Sequence, residues 1–81
     1  MDTNRVELLN HPKVGDKWRK VSESGKVLAR QVVELNGRVR PEFKRYVGNV
    51  VYLNEKGHTK TCWSETWIEW CRGAVLEVRG T

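Results

Sequence analysis

Apolar and polar residues alternate along most of the chain, and the alternation gives way to a helical spacing near its end. From Lys26 to Leu35, Val27, Ala29, Val33 and Leu35 fall on one face and Arg30 and Glu34 on the other, the period of a half-buried strand. Asn36-Gly37 follows, and both residues tolerate the positive φ of a type I′ turn, so a hairpin with a third strand starting at Arg38 is expected. Upstream, VGDKWRKV carries a turn at Gly15-Asp16 and a strand that begins at Trp18 and ends in Ser22 to Gly25. Downstream, VGNVVYL (Val47 to Leu53) reads as a strand, Asn54 to Gly57 as a turn, and His58 to Trp63 as the returning strand. Pro41 interrupts the third strand, which is therefore short or an edge, and the segment RVRPEFKRY (Arg38 to Tyr46) protrudes.

The spacing changes in TKTCWSETWIEWCRG, Thr59 to Gly73, which holds three of the four tryptophans and both cysteines. Trp63, Trp67 and Trp70 stand four and then three residues apart, and Thr66 with Glu69 has the form of a capping box. A short helix is expected to start near Ser64 to Thr66, to end at a left-handed Gly73, and to be followed by a closing strand in AVLEV. The three tryptophans are expected to anchor the core. Residues 1–12 contain one helical turn, Asn4 to Leu9, with Val6 and Leu9 on one face and a stop at Asn10-His11-Pro12. They are expected to form a loosely ordered segment ahead of a single domain, 13–81.

Five or six short strands, tight turns and a helical turn at about 65–72 describe a mostly β chain rolled into a small, strongly bent barrel. Over Val14 to Val78, through the opening VGDKW, the hairpin VVELNGR, the strand VVYLNEKG and the helical turn before the closing strand, the chain resembles the SH3-like (including Tudor-like) barrels. More loosely it resembles the short barrel proteins that bacteriophages and prophages encode. The resemblance implies a small accessory or regulatory protein of mobile-element type, and it transfers no functional residue.

Eighty-one residues make one small domain that buries only about 60–65 % of the surface of its unfolded chain. With 38 % hydrophobic and 31 % charged residues and two prolines, the composition argues against disorder. No apolar run reaches the roughly 18 residues of a membrane span, and MDTNRVELLN lacks a basic segment followed by an apolar one. A cytoplasmic protein without membrane contact is expected, with Cys62 and Cys71 as reduced thiols packed beside the tryptophans. The net charge of +5 is concentrated in the middle of the chain: Lys13 to Lys60 carry twelve Lys and Arg against five Asp and Glu. Such an excess favours acidic partners, nucleic acid above all, or serves solubility alone.

Chemistry by catalysis finds little support. His11 and His58 lie in no nucleophile motif, and no phosphate-binding glycine loop or HExxH is present, so no enzyme and no cofactor is expected. His58, Cys62 and Cys71 are spaced unlike the paired ligands of a zinc knuckle, so no metal is expected. The best candidate surface is Arg38, Arg40, Lys44, Arg45 and Tyr46, with Phe43 between them and Lys17, Arg19 and Lys20 as an extension. Cations for phosphates beside aromatics for bases are what a nucleic-acid surface requires. The alternative is an adaptor or inhibitor that binds a host protein through a barrel edge or an aromatic cleft formed by Trp18, Tyr46, Tyr52 and whichever of Trp63, Trp67 and Trp70 is exposed, with Trp18, Tyr52 and Trp67 as the first choice. Exposure separates the two: exposed tryptophans with a neutral rim favour protein, and a continuous arginine face favours nucleic acid. The oligomeric state stays open.

Overall fold

β-Branched and aromatic residues build five strands, β1 (Lys17–Val21), β2 (Val27–Arg40), β3 (Arg45–Asn54), β4 (Thr59–Trp63) and β5 (Val75–Val78), accompanied by two helices, α1 (Asp2–Asn10) and α2 (Ser64–Cys71). The computed structural model describes residues 2–80, with side chains from Arg5 to Gly80. Met1 and Thr81, the outer bounds of the two expected segments, lie outside the described residues.

All strand pairs are antiparallel, and the order across the sheet is β4-β3-β2-β1-β5. β4 and β5 are the two edges and share no ladder, so the sheet is not closed into a barrel. This overturns the expected SH3-like five- to six-stranded barrel; what holds is a mostly β composition with a short helix before the last strand. The physical cause is α2. It follows β4 directly, lies across one face of the sheet, and delivers β5 against β1 at the far edge. Its Trp67, Ile68 and Cys71 fill the space that closing strands would otherwise line.

The core is Trp18, Val32, Tyr46, Val50, Tyr52, Trp67, Cys71 and Ala74, with Leu8 and Leu9 of α1, Leu35, Cys62, Trp70 and Leu76 packed against it. A bulge between Val32 and Glu34 shifts the register of β2. The residues of β2 that face α2 are therefore Leu28, Arg30, Val32 and Leu35, while Val33 is exposed; the alternation expected from Val27, Ala29 and Val33 is inverted.

Asn36-Gly37 is not a turn. Both residues lie inside β2, opposite Asn49 and Gly48, and neither has the positive φ that a type I′ turn demands. The chain reverses at Pro41 to Lys44, where the amides of Phe43 and Lys44 both donate to Arg40 O (3.0 and 2.8 Å) and Lys44 is left-handed at φ 55°. Proline suits the opening of that turn, since its φ is already set and it owes the ladder no N–H. Gly37 and Gly48 approach so closely that a Cβ on Gly48 would stand 2.5 Å from the Cα of Gly37. The phenol of Tyr46 lies over both and donates to Asn49 O at 2.7 Å.

α2 begins at Ser64 with Trp63 as an N-cap whose side chain caps nothing, so the expected Thr66/Glu69 capping box does not start the helix. Nor does a left-handed Gly73 end it: Arg72 stays helical, and Arg5 of α1 donates from Nη2 to the carbonyls of Cys71, Arg72 and Ala74 at 3.3, 2.7 and 3.0 Å. One cation thus satisfies carbonyls that the helix end leaves open. Asp16 ties the start of β1 to the far end of the chain. Its buried carboxylate accepts from the amides of Lys13 and Gly80 (3.0 and 2.7 Å) and from Arg79 Nη1 at 3.0 Å.

Candidate functional site

β2 and β3 outrun their neighbours. β1 reaches along β2 only as far as Gln31, and β4 reaches along β3 only as far as Asn49, so residues 37–40 and 45–48 pair only with each other. The result is a two-stranded arm that protrudes from the sheet, with Pro41 to Lys44 at its tip. Alternation turns Gly37, Val39, Tyr46 and Gly48 toward the α2 side of the arm and Arg38, Arg40, Arg45 and Val47 away from it, although Arg45, at the start of β3, reaches back with its guanidinium to Glu65 of α2. Arg40 stands directly opposite Arg45, and Arg38 is the next outward position along β2.

Like charges directly opposite one another weaken a sheet, so nothing in the stability of this arm calls for that pairing. Each of the two guanidiniums has one carboxylate, Glu42 for Arg40 at 3.1 Å and Glu65 of α2 for Arg45 at 3.4 Å. Glu42 is held below the usual carboxylate range by a hydrogen bond from its own backbone and by Arg40. Arg38 and Lys44 have no ion-pair partner among the described residues. All five residues expected to contact nucleic acid therefore lie on the arm, and the four cations among them are open to solvent at least in part. The fifth, Tyr46, is only 4 % exposed, its phenol pushed up in pKa by burial, and it offers no face for a base to stack on. Phe43, at the tip, is 57 % exposed.

The first-choice aromatics for a protein-binding cleft are buried, and among Trp63, Trp67 and Trp70 the exposed one is Trp63. Trp18, Tyr52 and Trp67 are 1 %, 7 % and 1 % exposed. The rings of Tyr52 and Trp67 are 5.3 Å apart, and Trp67 and Trp70 are stacked at 6.4 Å. Arg30, facing inward because of the bulge, sits 4.5 Å from the Tyr52 ring and 4.4 Å from that of Trp70, and Lys20 Nζ lies 4.4 Å from the latter. The chain's own cations occupy the aromatic faces a ligand would use. Arg30 Nη1 and Trp18 Nε1 are buried without a hydrogen-bond partner.

Cys62 and Cys71 are both free thiols. Burial pushes Cys71 up to about 12 and raises Cys62 as well, with Arg30 pulling each the other way. Neither is a nucleophile at neutral pH, since only the thiolate attacks. Among the described residues no three of His, Cys, Asp and Glu converge as a metal site would need, and no helix is long and apolar enough to cross a membrane.

One exposed residue escaped the pattern. Trp63 shares its 3.6-residue spacing with Trp67 and Trp70, which suggests one helical face, but it is the last residue of β4. Cys62 opposes Val50 and faces α2, so Trp63 faces away, on the uncovered side of the sheet, and is 48 % exposed. It stands opposite Asn49, which stands opposite Asn36, and both asparagines are exposed. Trp63, Asn49 and Asn36 thus form a row across three strands, on the same face as Arg38 and adjoining the arm. The alternation in TKTCW was the signal for it, and the helical spacing masked that signal.

Comparison of the chain with protein-family models, with curated proteins and with solved structures finds no match, so neither a family nor a homologue stands behind an SH3-like assignment.

Proposed function

We propose that the protein binds nucleic acid through the β2–β3 arm, with Arg38, Arg40, Lys44 and Arg45 contacting phosphates. The observation that carries this reading is the direct opposition of Arg40 and Arg45 with Arg38 beside them on the same outward face. A folded arm has no need of three guanidiniums there, whereas a phosphate chain meets each with a bidentate, charge-assisted hydrogen bond. Neutralised phosphates release their counterions, which supplies affinity without reading sequence. Glu42 and Glu65 hold Arg40 and Arg45 in place and give way to phosphate at little cost, because exposed ion pairs are worth about 1 kcal/mol or less. In this reading the protein acts by binding, through the cations that the arm presents.

Replacing Arg38, Arg40, Lys44 and Arg45 together by Ala tests the reading. Their side chains lie outside the core, so the far-ultraviolet circular dichroism and the unfolding transition should be preserved. Binding to short DNA and RNA oligonucleotides at low salt should be lost. Undiminished affinity in the folded variant would remove the arm as the contact surface.

A further inference from the structure

Trp63 is unexplained by the fold that contains it. Half of its surface is open to water. It occupies an N-cap position, where Ser, Thr, Asp or Asn would satisfy a free amide, and its indole makes no capping hydrogen bond. It lies outside the core cluster, which holds Trp18 and Trp67 and has Trp70 packed against it. Neither packing nor the start of α2 therefore accounts for a tryptophan at this place.

The surroundings of Trp63 point in one direction. The register puts Val47 and Val51 diagonally beside it on the same face, within reach of an aromatic side chain, so apolar residues flank the position while about half of Trp63 is open to solvent. Asn49 is directly across the ladder and Asn36 one strand further, each an amide that both donates and accepts. Arg38 stands two residues from Asn36 on the same face, roughly 7 Å along the strand. A flat, half-supported ring, amides in its own row and guanidiniums one step away together match an unpaired base stacked on the ring with its phosphates running onto the arm.

We infer that Trp63, with Asn49 and Asn36, forms a base-stacking subsite, and that the ligand of this surface is single-stranded nucleic acid. This rests on the proposal that the arm holds phosphates. A duplex keeps its base faces stacked inside, so an aromatic platform has nothing to take from it; a single strand offers each base to the ring. The amides hydrogen-bond base edges in a row without imposing a sequence, and the arm supplies the electrostatic part of the affinity.

The test uses the whole protein with an oligothymidylate and with a blunt duplex of similar length. The single strand should quench tryptophan fluorescence on binding and the quenching should be lost in Trp63→Ala, because Trp63 is exposed, whereas Trp18 and Trp67 are buried and the partly buried Trp70 is covered by Lys20 and Arg30. Trp63→Ala should weaken single-strand binding by about tenfold to a hundredfold and leave the salt dependence unchanged. Trp63→Phe should recover most of the loss. A Trp63→Ala protein that binds the single strand as well as the parent, or a parent that prefers duplex, overturns the subsite while the arm keeps its phosphates. No binding of either oligonucleotide at low salt overturns both proposals and leaves the face to a protein partner. Trp63→Phe keeps an aromatic ring at the position, so recovery of binding there separates a lost platform from a variant that fails to fold.

Discussion

The arm that carries the arginines depends on two glycines facing each other across the β2–β3 ladder, and substituting them one at a time separates two costs. Gly48 has φ +152° and an ideal Cβ there would meet the Cα of Gly37 at 2.5 Å, Asn36 O at 2.6 Å and the Tyr46 hydroxyl at 2.9 Å. Gly37 needs no positive φ, but its Cβ would stand 2.6 Å from the Cα of Gly48. Gly57, in the β3–β4 turn, has φ +79° with nothing within 4 Å. Gly57→Ala therefore meets backbone strain alone, about 1–2 kcal/mol. Gly37→Ala meets steric conflict alone, at the upper end of the roughly 1–3 kcal/mol of an overpacked site, because the atoms it strikes are backbone held by ladder hydrogen bonds. Gly48→Ala combines the two, about 4–6 kcal/mol with strain of 1–3 kcal/mol included. A chain of 81 residues has a total stability of about 4–12 kcal/mol, so this one methyl removes roughly a third of it or more. Urea titration followed by tryptophan fluorescence measures the series. The order Gly57, Gly37, Gly48 is expected; a Gly48→Ala protein as stable as Gly57→Ala would refute the close crossing of the two strands.

Two further perturbations address the core and the chain ends. Asp16→Ala strands Arg79 and two amides without their acceptor and should destabilise by about 3–5 kcal/mol in the same titration; a loss below about 1 kcal/mol would show that the carboxylate is not the tie. Because the Cys71 thiol is pushed up to about 12 in the fold while an unfolded thiol ionises near pH 8.5, stability should fall as pH rises through that window and be unaffected by this group below it. Tyr46 and Tyr52, also raised by burial, add to the decline above about pH 10. The slope between about pH 8.5 and 10 should flatten in Cys71→Ala; an identical slope would mean that the thiol is not shielded.

Where local pattern and tertiary packing agreed, the sequence was informative: β1, β3, the turn at Asn54 to Gly57, and the helix before the closing strand lie close to where alternation and spacing put them. Asn36-Gly37 misled because the same dipeptide serves a second purpose, letting two strands approach under the Tyr46 ring, and nothing local distinguishes a glycine needed for φ from one needed for space. The bulge at Val33 could not be seen in β2 alone, since it is defined by the partner strand, and it sends Arg30 inward where alternation had set it outward. Closure failed as an expectation because five strands and a helix can be arranged as a barrel or as an open sheet with a helix on one face, and the choice is made by where α2 packs. Of the candidate site, the four cations were legible as a dense run, and their common arm followed from Pro41. Tyr46 was not, because facing depends on register. Trp63 was hidden by a coincidence of spacing across a strand–helix junction.

The measurement that bears most directly on the arm is the affinity for a single-stranded oligonucleotide as a function of salt, in the parent protein and in the variant with Arg38, Arg40, Lys44 and Arg45 replaced by Ala. Four phosphate contacts give a slope of log K against log salt of about −3, since each contact contributes about −0.7 on a single strand. The parent should show that slope, and the variant should bind too weakly to define one. Equal affinities and equal slopes in the two proteins would contradict the assignment of the arm as a phosphate-binding surface.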